Sequence, residues 1–380
     1  MPFSSLGLSV SLLNVIAEQH YAMPYPIQKE AIPAILNGKD VIGIAPTGAG
    51  KTASFVLPIL EHSQNKKLSK NRHVKTLVLV PTRELAIQTA EVFQLFGSAL
   101  PNRIKTMAVY GGVSINPQMM QLQGTEILVA TTGRLLDLIA SNAVNISEVE
   151  TLVLDEADKL LNLGFRDEMD RIFALLPNKR QNILFSATLG TDMNAFREVL
   201  LHNPVVIEIK AESKNIDLIT QIAYHVETER KGPLLRYLIK HENMNQVLVF
   251  VSSKKTADHV TTKLNINGIE ASAMHSLKSQ GARTQALQKF KTGKLRVLVA
   301  TDLASRGIDI QFLPYVINYE LPRSPKDYVH RIGRTGRAES SGDAISLISP
   351  EEVHHFVVIQ KKMGKRITLI QTNKLELSGY

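Results

Sequence analysis

The sequence predicts an α/β protein with two domains, each built on a parallel β-sheet flanked by helices. Three observations lead to this fold class. Short β-branched segments alternate with amphipathic segments, the alternation starts again near residue 217, and 380 residues exceed what one hydrophobic core usually organises. We therefore predict an N-terminal domain at 1–209, a linker at 210–216 and a C-terminal domain at 217–380.

The strands of the first domain are predicted from short runs of nearly continuous apolar character, which are typical of strands covered on both faces. In chain order these runs are DVIGIA, TLVLV, TMAVY, EILVA, TLVLD and NILFS. Segments such as ELAIQTAEVFQLFGSAL and FRDEMDRIFALL lie between them and have the pattern of amphipathic helices. This alternation predicts a parallel sheet with helices on both sides.

The second domain repeats the pattern with a new series of strands. Its predicted strands are ITQIAYHV, QVLVFV, ASAMH, RVLVA, YVINY and AISLI. The polar segment KAESKN, residues 210–215, separates the two series and is the reason for placing the linker there.

Composition excludes several classes of function. The chain has no cysteine, which rules out disulfides, thiolate metal sites and cysteine catalysis. Its apolar runs are too short to span a bilayer, and its start does not resemble a signal peptide, so we expect a cytoplasmic protein without membrane contact. Lys and Arg number 18 against 19 Asp and Glu in residues 1–208, but 26 against 16 in residues 209–380. This asymmetry indicates either a solvated basic surface or a polyanionic partner.

The segment GIAPTGAGKT has the pattern of a phosphate-binding loop, except that Ala45 stands at its first glycine position. Gly48 and Gly50 allow backbone N–H groups to point at phosphate oxygens beside a helix N-terminus. Lys51 would reach the β- and γ-phosphates, and Thr52 would bind Mg²⁺. A glycine-rich turn that happens to precede Lys-Thr is the alternative, but the strand before and the helix after favour the functional interpretation.

Acidic residues follow the strand in TLVLDEADKL. Carboxylates at the carboxyl end of a strand face the ligand crevice of an open α/β sheet. Mg²⁺ needs as little as one protein carboxylate, a role that suits Asp155, and Glu156 is placed to polarise an attacking water. A helix start rich in acidic residues is the alternative. Together with the phosphate loop, this motif predicts a nucleoside triphosphatase.

The residues DEAD at 155–158 resemble the signature of the DEAD-box RNA helicases, and further motifs of that family follow in the expected order along nearly the entire chain. The resemblance implies two tandem RecA-like domains, ATP and Mg²⁺ as cofactors, and RNA as the substrate. KSQGARTQALQKF and VLVATDLASRGIDI look most similar to the bacterial RhlE-type branch. The other matching segments are HYAMPYPIQ with Phe3, PTREL, GG at 111–112, TTGR, SAT, VATDLASRGIDI and YVHRIGRTGR.

The resemblance implies an ATP site in which Gln28 pairs with the adenine edge and Tyr21 offers an aromatic face to the base. A buried tyrosine in a turn is the alternative for Tyr21. Asp309 would hold the ribose hydroxyls beside Gly307. The complete predicted ATP-binding set is Phe3, Tyr21, Gln28, Thr47, Gly48, Ala49, Gly50, Lys51, Thr52, Gly307 and Asp309.

The resemblance also implies a track of contacts to RNA phosphates, which position the strand without reading its sequence. An Arg83–Glu84 surface ion pair is the alternative for part of PTREL. Two positions depart from the usual family motifs: Tyr25 replaces Thr or Ser, and Thr132 replaces Pro. The predicted RNA-binding residues are Pro81, Thr82, Arg83, Gly112, Thr132, Gly133, Arg134, Gln280, Arg283 and Thr301, with Asp302 nearby.

The arginines of YVHRIGRTGR would act on the nucleotide, since Arg334 and Arg337 match the arginine fingers of the family. A basic helix that binds nucleic acid is the alternative. Lys51, Asp155, Glu156, Arg334 and Arg337 form the predicted catalytic set. The predicted coupling residues between the nucleotide and RNA are Asp158, Ser186, Thr188, His330 and Arg331.

The predicted function is RNA-stimulated ATP hydrolysis coupled to closure of the two domains and local unwinding of short RNA duplexes. We expect a monomer that acts in RNA metabolism, such as ribosome assembly or RNA decay, with ribosomal or RNA-decay proteins as partners. A DNA helicase or translocase and a catalytically idle RNA clamp remain the alternatives.

Overall fold

The computed structural model describes residues 1–46, 48–64, 72–98, 100–162, 165–187, 200–209, 219–302, 310, 313–336 and 342–380. The chain divides into two compact units, Met1–Ala211 and Glu212–Tyr380. Each unit contains its own parallel sheet flanked by helices, which confirms the predicted fold class. The linker predicted at 210–216 lies outside the described residues.

The sheet of the N-terminal unit has seven described strands. They are β1 (Val41–Ile44), β2 (Thr76–Leu79), β3 (Thr106–Val109), β4 (Ile127–Ala130), β5 (Thr151–Leu154), β6 (Gln181–Ser186) and β7 (Val205–Glu208). Their order across the sheet is β3-β4-β2-β5-β6-β1-β7, and every pair of neighbours is parallel. The strand β7 was not among the predicted strands; it lies at the edge of the sheet, and only its Ile207 is buried.

The helices of this unit connect the strands and cover both faces of the sheet. They are α1 (Val10–Glu18), α2 (Pro26–Leu36), α3 (Lys51–Ser63), α4 (Arg83–Gly97), α5 (Ile115–Gln121), α6 (Thr132–Ala140), α7 (Ala157–Asn162) and α8 (Arg166–Phe173). Alternate strand residues face opposite sides, so that Val153 packs in one core and Leu152 and Leu154 in the other.

The C-terminal unit has the same architecture. Its described strands are β8 (Ile219–His225), β9 (Val247–Val251), β10 (Ala271–Met274), β11 (Val297–Thr301), β12 (Tyr315–Asn318), β13 (Gly342–Ile348) and β14 (Leu369–Gln371), in the order β10-β11-β9-β12-β13-β8-β14. The short edge strand β14 was not predicted. The helices among its described residues are α9 (Lys231–His241), α10 (Lys254–Ile266), α11 (Gln280–Lys291), α12 (Pro325–Ile332) and α13 (Val353–Met363).

Parallel strands determine where the site of each unit lies. The carboxyl ends of β1, β2, β4, β5 and β6 lie along one edge of the N-terminal sheet, and the predicted motifs follow directly after these strands. Across the helices that the structure describes, none combines the length and the apolar character needed to cross a bilayer.

Candidate functional site

The phosphate loop connects β1 to α3, and α3 begins at Lys51. Gly48 and Gly50 have φ angles of 78° and 83°, in the left-handed region that favours glycine. A Cβ atom on Gly50 would lie 2.5 Å from Gln28 Nε2 and 2.8 Å from a ring carbon of Tyr25. Glycine is therefore required here both by conformation and by space. Thr47 lies outside the described residues, whereas Ala49 is half-buried in the loop.

Lys51 points back into the loop, where its Nζ donates a hydrogen bond of 2.6 Å to the carbonyl oxygen of Ala45. Burial lowers the pKa of Lys51, and the negative charges of Asp155, Glu156 and Asp158 oppose this change. The phosphate loop and the acidic motif, which are far apart in sequence, therefore lie within electrostatic reach of each other. Thr52 follows in the first turn of α3 and is half-buried.

Asp155 follows β5 directly and is only 3% exposed. Its Oδ1 accepts a hydrogen bond of 2.9 Å from the Glu156 N–H. Burial, and after it the charge of Glu156, raises the pKa of Asp155 to about 6, although Lys51 acts in the opposite direction. A raised pKa means that the surroundings neutralise the negative charge of this buried carboxylate only in part. A carboxylate in such a place is suited to bind a divalent cation through its oxygens.

Glu156 has an unusual backbone for a non-glycine residue, with a φ of 52°. Its Oε1 lies 2.8 Å from Lys159 Nζ, while its Oε2 is buried without a hydrogen-bond partner. One oxygen is therefore held by an ion pair that the sequence analysis missed, and the other is left to accept a proton or hydrogen bond. Asp158 is also buried, at 5% exposure.

Two further contacts attach the phosphate loop to its surroundings. Ser186, at the end of β6, accepts a hydrogen bond of 3.1 Å at its carbonyl from the Ala45 N–H. Gln28 is fully buried; its Oε1 accepts from the Tyr25 N–H at 2.9 Å, and its Nε2 donates to the Gly50 carbonyl at 3.1 Å. The adenine contact of Gln28 remains a prediction, whereas its hydrogen bond to the phosphate loop was not predicted from the sequence. Thr188 lies outside the described residues.

Tyr21 is not a buried tyrosine, because 38% of it is exposed. Its ring packs edge-on against Phe3 at a centroid distance of 6.5 Å and against Phe96 at 5.8 Å. Phe3 is itself buried, so the pair forms an aromatic surface with Tyr21 on its outer side.

The segment PTREL lies at the carboxyl end of β2. Pro81 and Thr82 are buried, and the Thr82 Oγ1 accepts a hydrogen bond of 3.3 Å from the Leu85 N–H, which caps α4. Arg83 lies against Gly112, since a Cβ on Gly112 would come within 1.9 Å of the Arg83 Nη1. Two predicted RNA-binding motifs, PTREL and the GG at 111–112, therefore lie next to each other. Any residue with a Cβ at position 112 would force Arg83 to move.

The residues TTGR form the start of α6 at the carboxyl end of β4. Arg134 is 7% exposed, and its Nη2 donates a hydrogen bond of 2.8 Å to the Val113 carbonyl next to Gly112. The Thr132 hydroxyl donates to the carboxylate of Glu168 on α8. Glu168 was not predicted, because no motif distinguishes it from the other acidic residues of that helix.

In the C-terminal unit, Arg331 is 2% exposed and donates within its own unit. Its Nε and Nη2 bind the Asp302 carboxylate at 2.6 and 2.7 Å, and its Nη1 donates to Asn318 Oδ1 and to the Glu320 carbonyl. The guanidinium also lies 4.9 Å from the Phe250 ring centroid. All three guanidinium nitrogens of Arg331, a predicted coupling residue, are used to join α12 to the ends of β11 and β12.

The remaining predicted residues of this unit lie near the carboxyl ends of its strands. Thr301 ends β11 with 9% exposure, and Gln280 and Arg283 are buried in the first turn of α11. His330 is in the last turn of α12, and half-buried Arg334 is in the turn that follows. Gly307, Asp309 and Arg337 lie outside the described residues.

Comparison with known proteins identifies the family. Residues 25–196 match the family model described as DEAD/DEAH box helicase, and residues 230–339 match the Helicase conserved C-terminal domain. Over 97% of its length the chain is 39% identical to the ATP-dependent RNA helicase CshA of Listeria monocytogenes, of which it covers 70%. The chain belongs to the DEAD-box RNA helicases.

Other relatives agree with this assignment. The helicase is 37% identical to the DEAD-box ATP-dependent RNA helicase CshA of Geobacillus kaustophilus, covering 96% of this chain and 78% of that protein. It is similar to the solved structure of S. cerevisiae Dbp5 bound to RNA and ADP BeF3, with a TM-score of 0.85 and 30% identity, over 98% of this chain and 96% of Dbp5.

The helicase is therefore an ATP-dependent enzyme that acts on RNA and hydrolyses ATP, which confirms the predicted activity. The narrower prediction of an RhlE-type protein is not confirmed, because these curated relatives carry the name CshA.

Proposed function

We propose that this DEAD-box helicase hydrolyses ATP at the carboxyl edge of its N-terminal sheet, with Lys51, Asp155 and Glu156 at the reacting centre. The observation that carries this proposal is the placement of the loop lysine and the acidic motif at one edge of the sheet: they follow β1 and β5, which only β6 separates, and the charges of Asp155 and Glu156 act on the pKa of Lys51. A phosphate chain bound at the helix N-terminus would meet both groups.

In this proposal, the chain binds ATP through backbone amides and a few side chains. The amides of 48–52 and the Lys51 ammonium hold the phosphates, while Gln28, Tyr21 and Phe3 receive the adenine. Thr52 and Asp155 would hold Mg²⁺, whose charge, when it is bound, would neutralise the phosphate oxygens.

Glu156 would orient the water that attacks the γ-phosphate. Its Oε2 is buried and has no hydrogen-bond partner, while Lys159 holds its Oε1. The C-terminal unit would contribute Arg334 and Arg337 as arginine fingers, an interaction worth about 10³–10⁵ in rate in related enzymes. Gly307 and Asp309 would hold the ribose.

RNA would bind along the predicted phosphate contacts, and binding of ATP and RNA together would favour closure of the two domains. Such coupling is reciprocal: each ligand raises the affinity for the other. The predicted coupling residues, Asp158, Ser186, Thr188, His330 and Arg331, would transmit it. The closed state would bend one RNA strand and separate a short duplex, with selection of RNA by its 2′-hydroxyl groups.

We further propose that the helicase is a cytoplasmic monomer of the RhlE-type branch. It would act in ribosome assembly or RNA decay together with ribosomal or RNA-decay proteins.

Steady-state ATPase assays test the proposal. The rate is measured with single-stranded RNA, with DNA of the same sequence and with neither, for the natural protein and for Glu156→Gln. We expect stimulation mainly by RNA and a fall in kcat of about 10²–10⁴ in Glu156→Gln with nucleotide binding retained. Glu18→Gln, an exposed change of the same type on α1, is the control. A high rate that RNA does not change would contradict the coupling, and equal stimulation by DNA would favour a DNA translocase.

A further inference from the structure

The carboxylate of Glu168, a residue of the same unit, lies at the N-terminus of α6. The Thr132 hydroxyl, at the first residue of α6, donates to Oε2 of Glu168 in the first turn of α8. The Glu168 Oε1 lies 3.5 Å from the position that a Cβ on Gly133 would occupy. The carboxylate of Glu168 therefore lies directly against the first two residues of α6.

The local electrostatics favour negative charge at this position. The first N–H groups of a helix have no partners within the helix, and the helix dipole places partial positive charge there. Arg134, in the same turn, is 7% exposed, and its Nε and Nη1 are buried without hydrogen-bond partners. The carboxylate of Asp137 is 3.6 Å from the Arg134 Nε, but its side chain is 63% exposed, so it neutralises the guanidinium only in part.

We propose that Glu168 is an affinity-determining residue that substitutes for an RNA phosphate at the N-terminus of α6 and is displaced when RNA binds. This inference rests on the proposed RNA contacts of Gly133 and Arg134. A carboxylate and a phosphate cannot occupy the same place, and the two repel each other, so RNA binding includes the cost of moving Glu168 away.

Thr132 explains how Glu168 is held in this position. The usual family residue here is proline, which has no hydroxyl to donate, whereas the 2% exposed Thr132 supplies one. The departure from the family motif and the position of Glu168 therefore form one unit, in which Thr132 fixes the competing carboxylate.

The test compares Glu168→Gln with Asp167→Asn, the neighbouring acidic residue, whose side chain is exposed. Both remove one negative charge from the first turn of α8, and glutamine can still accept the hydrogen bond from Thr132. Affinity for a fluorescein-labelled single-stranded RNA is measured by anisotropy with a non-hydrolysable ATP analogue at increasing salt. We expect Glu168→Gln to bind RNA about 3–10-fold more tightly at low salt, with the gain decreasing as salt screens the charges. Asp167→Asn is expected to change affinity less than about 2-fold, since surface charges contribute little.

Thr132→Pro removes the hydroxyl from the other side of the same hydrogen bond and gives an independent measurement, because proline is well tolerated at the first helical position. It should also strengthen RNA binding, and the double variant should gain less than the product of the single gains, as expected for coupled residues. Thermal melting confirms that each variant is folded.

The outcomes separate this inference from the proposed function. Weaker binding by Arg134→Ala together with tighter binding by Glu168→Gln supports both. If Arg134→Ala weakens binding but Glu168→Gln and Thr132→Pro leave it unchanged or weaker, Glu168 only stabilises the packing of α6 and α8, and the inference is wrong. If Arg134→Ala leaves RNA affinity unchanged, the proposed RNA contact itself is wrong.

Discussion

Replacing Gly112 with alanine is expected to weaken RNA binding by moving Arg83. Gly112 has a φ of 77°, and its added Cβ would lie 1.9 Å from the Arg83 Nη1 and 2.2 Å from the Arg83 Cζ. Such distances are impossible for non-bonded atoms, so the guanidinium must leave its place. The left-handed backbone conformation adds a cost of about 1–2 kcal/mol for alanine.

Gly38→Ala is the matched control for this variant. Gly38 has a φ of 70° in the same unit, but no heavy atom lies within 4 Å of its would-be Cβ. Both variants carry the same backbone strain, which should lower Tm by a similar amount, on the order of 5 °C for a unit of this size. Only Gly112→Ala displaces an arginine.

The assay is RNA affinity as a function of salt. If Arg83 contacts one RNA phosphate, its displacement should reduce the slope of log affinity against log salt by about 0.7. We expect Gly112→Ala to lose affinity about 10–100-fold at low salt, the scale of one charge-assisted contact, while Gly38→Ala keeps the affinity and the slope of the natural protein. Equal affinities and slopes for the two alanine variants would refute the role of Arg83.

Two further predictions concern buried charges. Because the pKa of Asp155 is raised to about 6 from 3.8, its contribution to stability is greatest below pH 3.8 and is lost as the pH rises through about 6. Without nucleotide or Mg²⁺, Asp155→Asn should therefore raise the free energy of unfolding at pH 7.5 by about 2–3 kcal/mol, and by less at pH 5. Thermal melts measure this gain as a rise in Tm, and an equal rise at both pH values would contradict the raised pKa. Arg331→Met should destabilise the C-terminal unit by about 3–5 kcal/mol in urea titration, because it removes the buried guanidinium that donates two hydrogen bonds to Asp302 and one to Asn318. The exposed Arg323→Met should have little effect, and a similar loss in both would argue against the buried pair.

Local features of the fold could be predicted well from the sequence. The phosphate loop was recognised because its glycines, the strand before it and the start of α3 are all set by neighbouring residues. The strands in the interior of both sheets were visible as apolar runs for the same reason. By contrast, the edge strands β7 and β14 have few buried side chains and gave no such signal.

Long-range contacts could not be predicted from local patterns. The sequence could not indicate that Gln28 reaches the Gly50 carbonyl or that Thr132 meets Glu168, because each contact depends on how separate helices pack. The burial of Arg331 was also missed. Arg331 and Asp302 are far apart in the sequence, and only the fold shows that the Asp302 carboxylate, at the end of β11, accepts two hydrogen bonds from this arginine.

The two electrostatic features of the N-terminal unit suggest how the helicase distinguishes its two ligands. Burial and the charge of Glu156 disfavour the ionised form of Asp155. A ligand that brings a cation stabilises this carboxylate, and ATP with Mg²⁺ is such a ligand. At the N-terminus of α6 the opposite holds, because the Glu168 carboxylate, which accepts a hydrogen bond from the Thr132 hydroxyl, already lies against the positive end of the helix. Nucleotide binding is then favoured by its own site, whereas RNA must compete with an internal carboxylate. On this reasoning Glu168→Gln should raise RNA affinity without ATP analogue as well as with it, since the competition is local to the N-terminal unit.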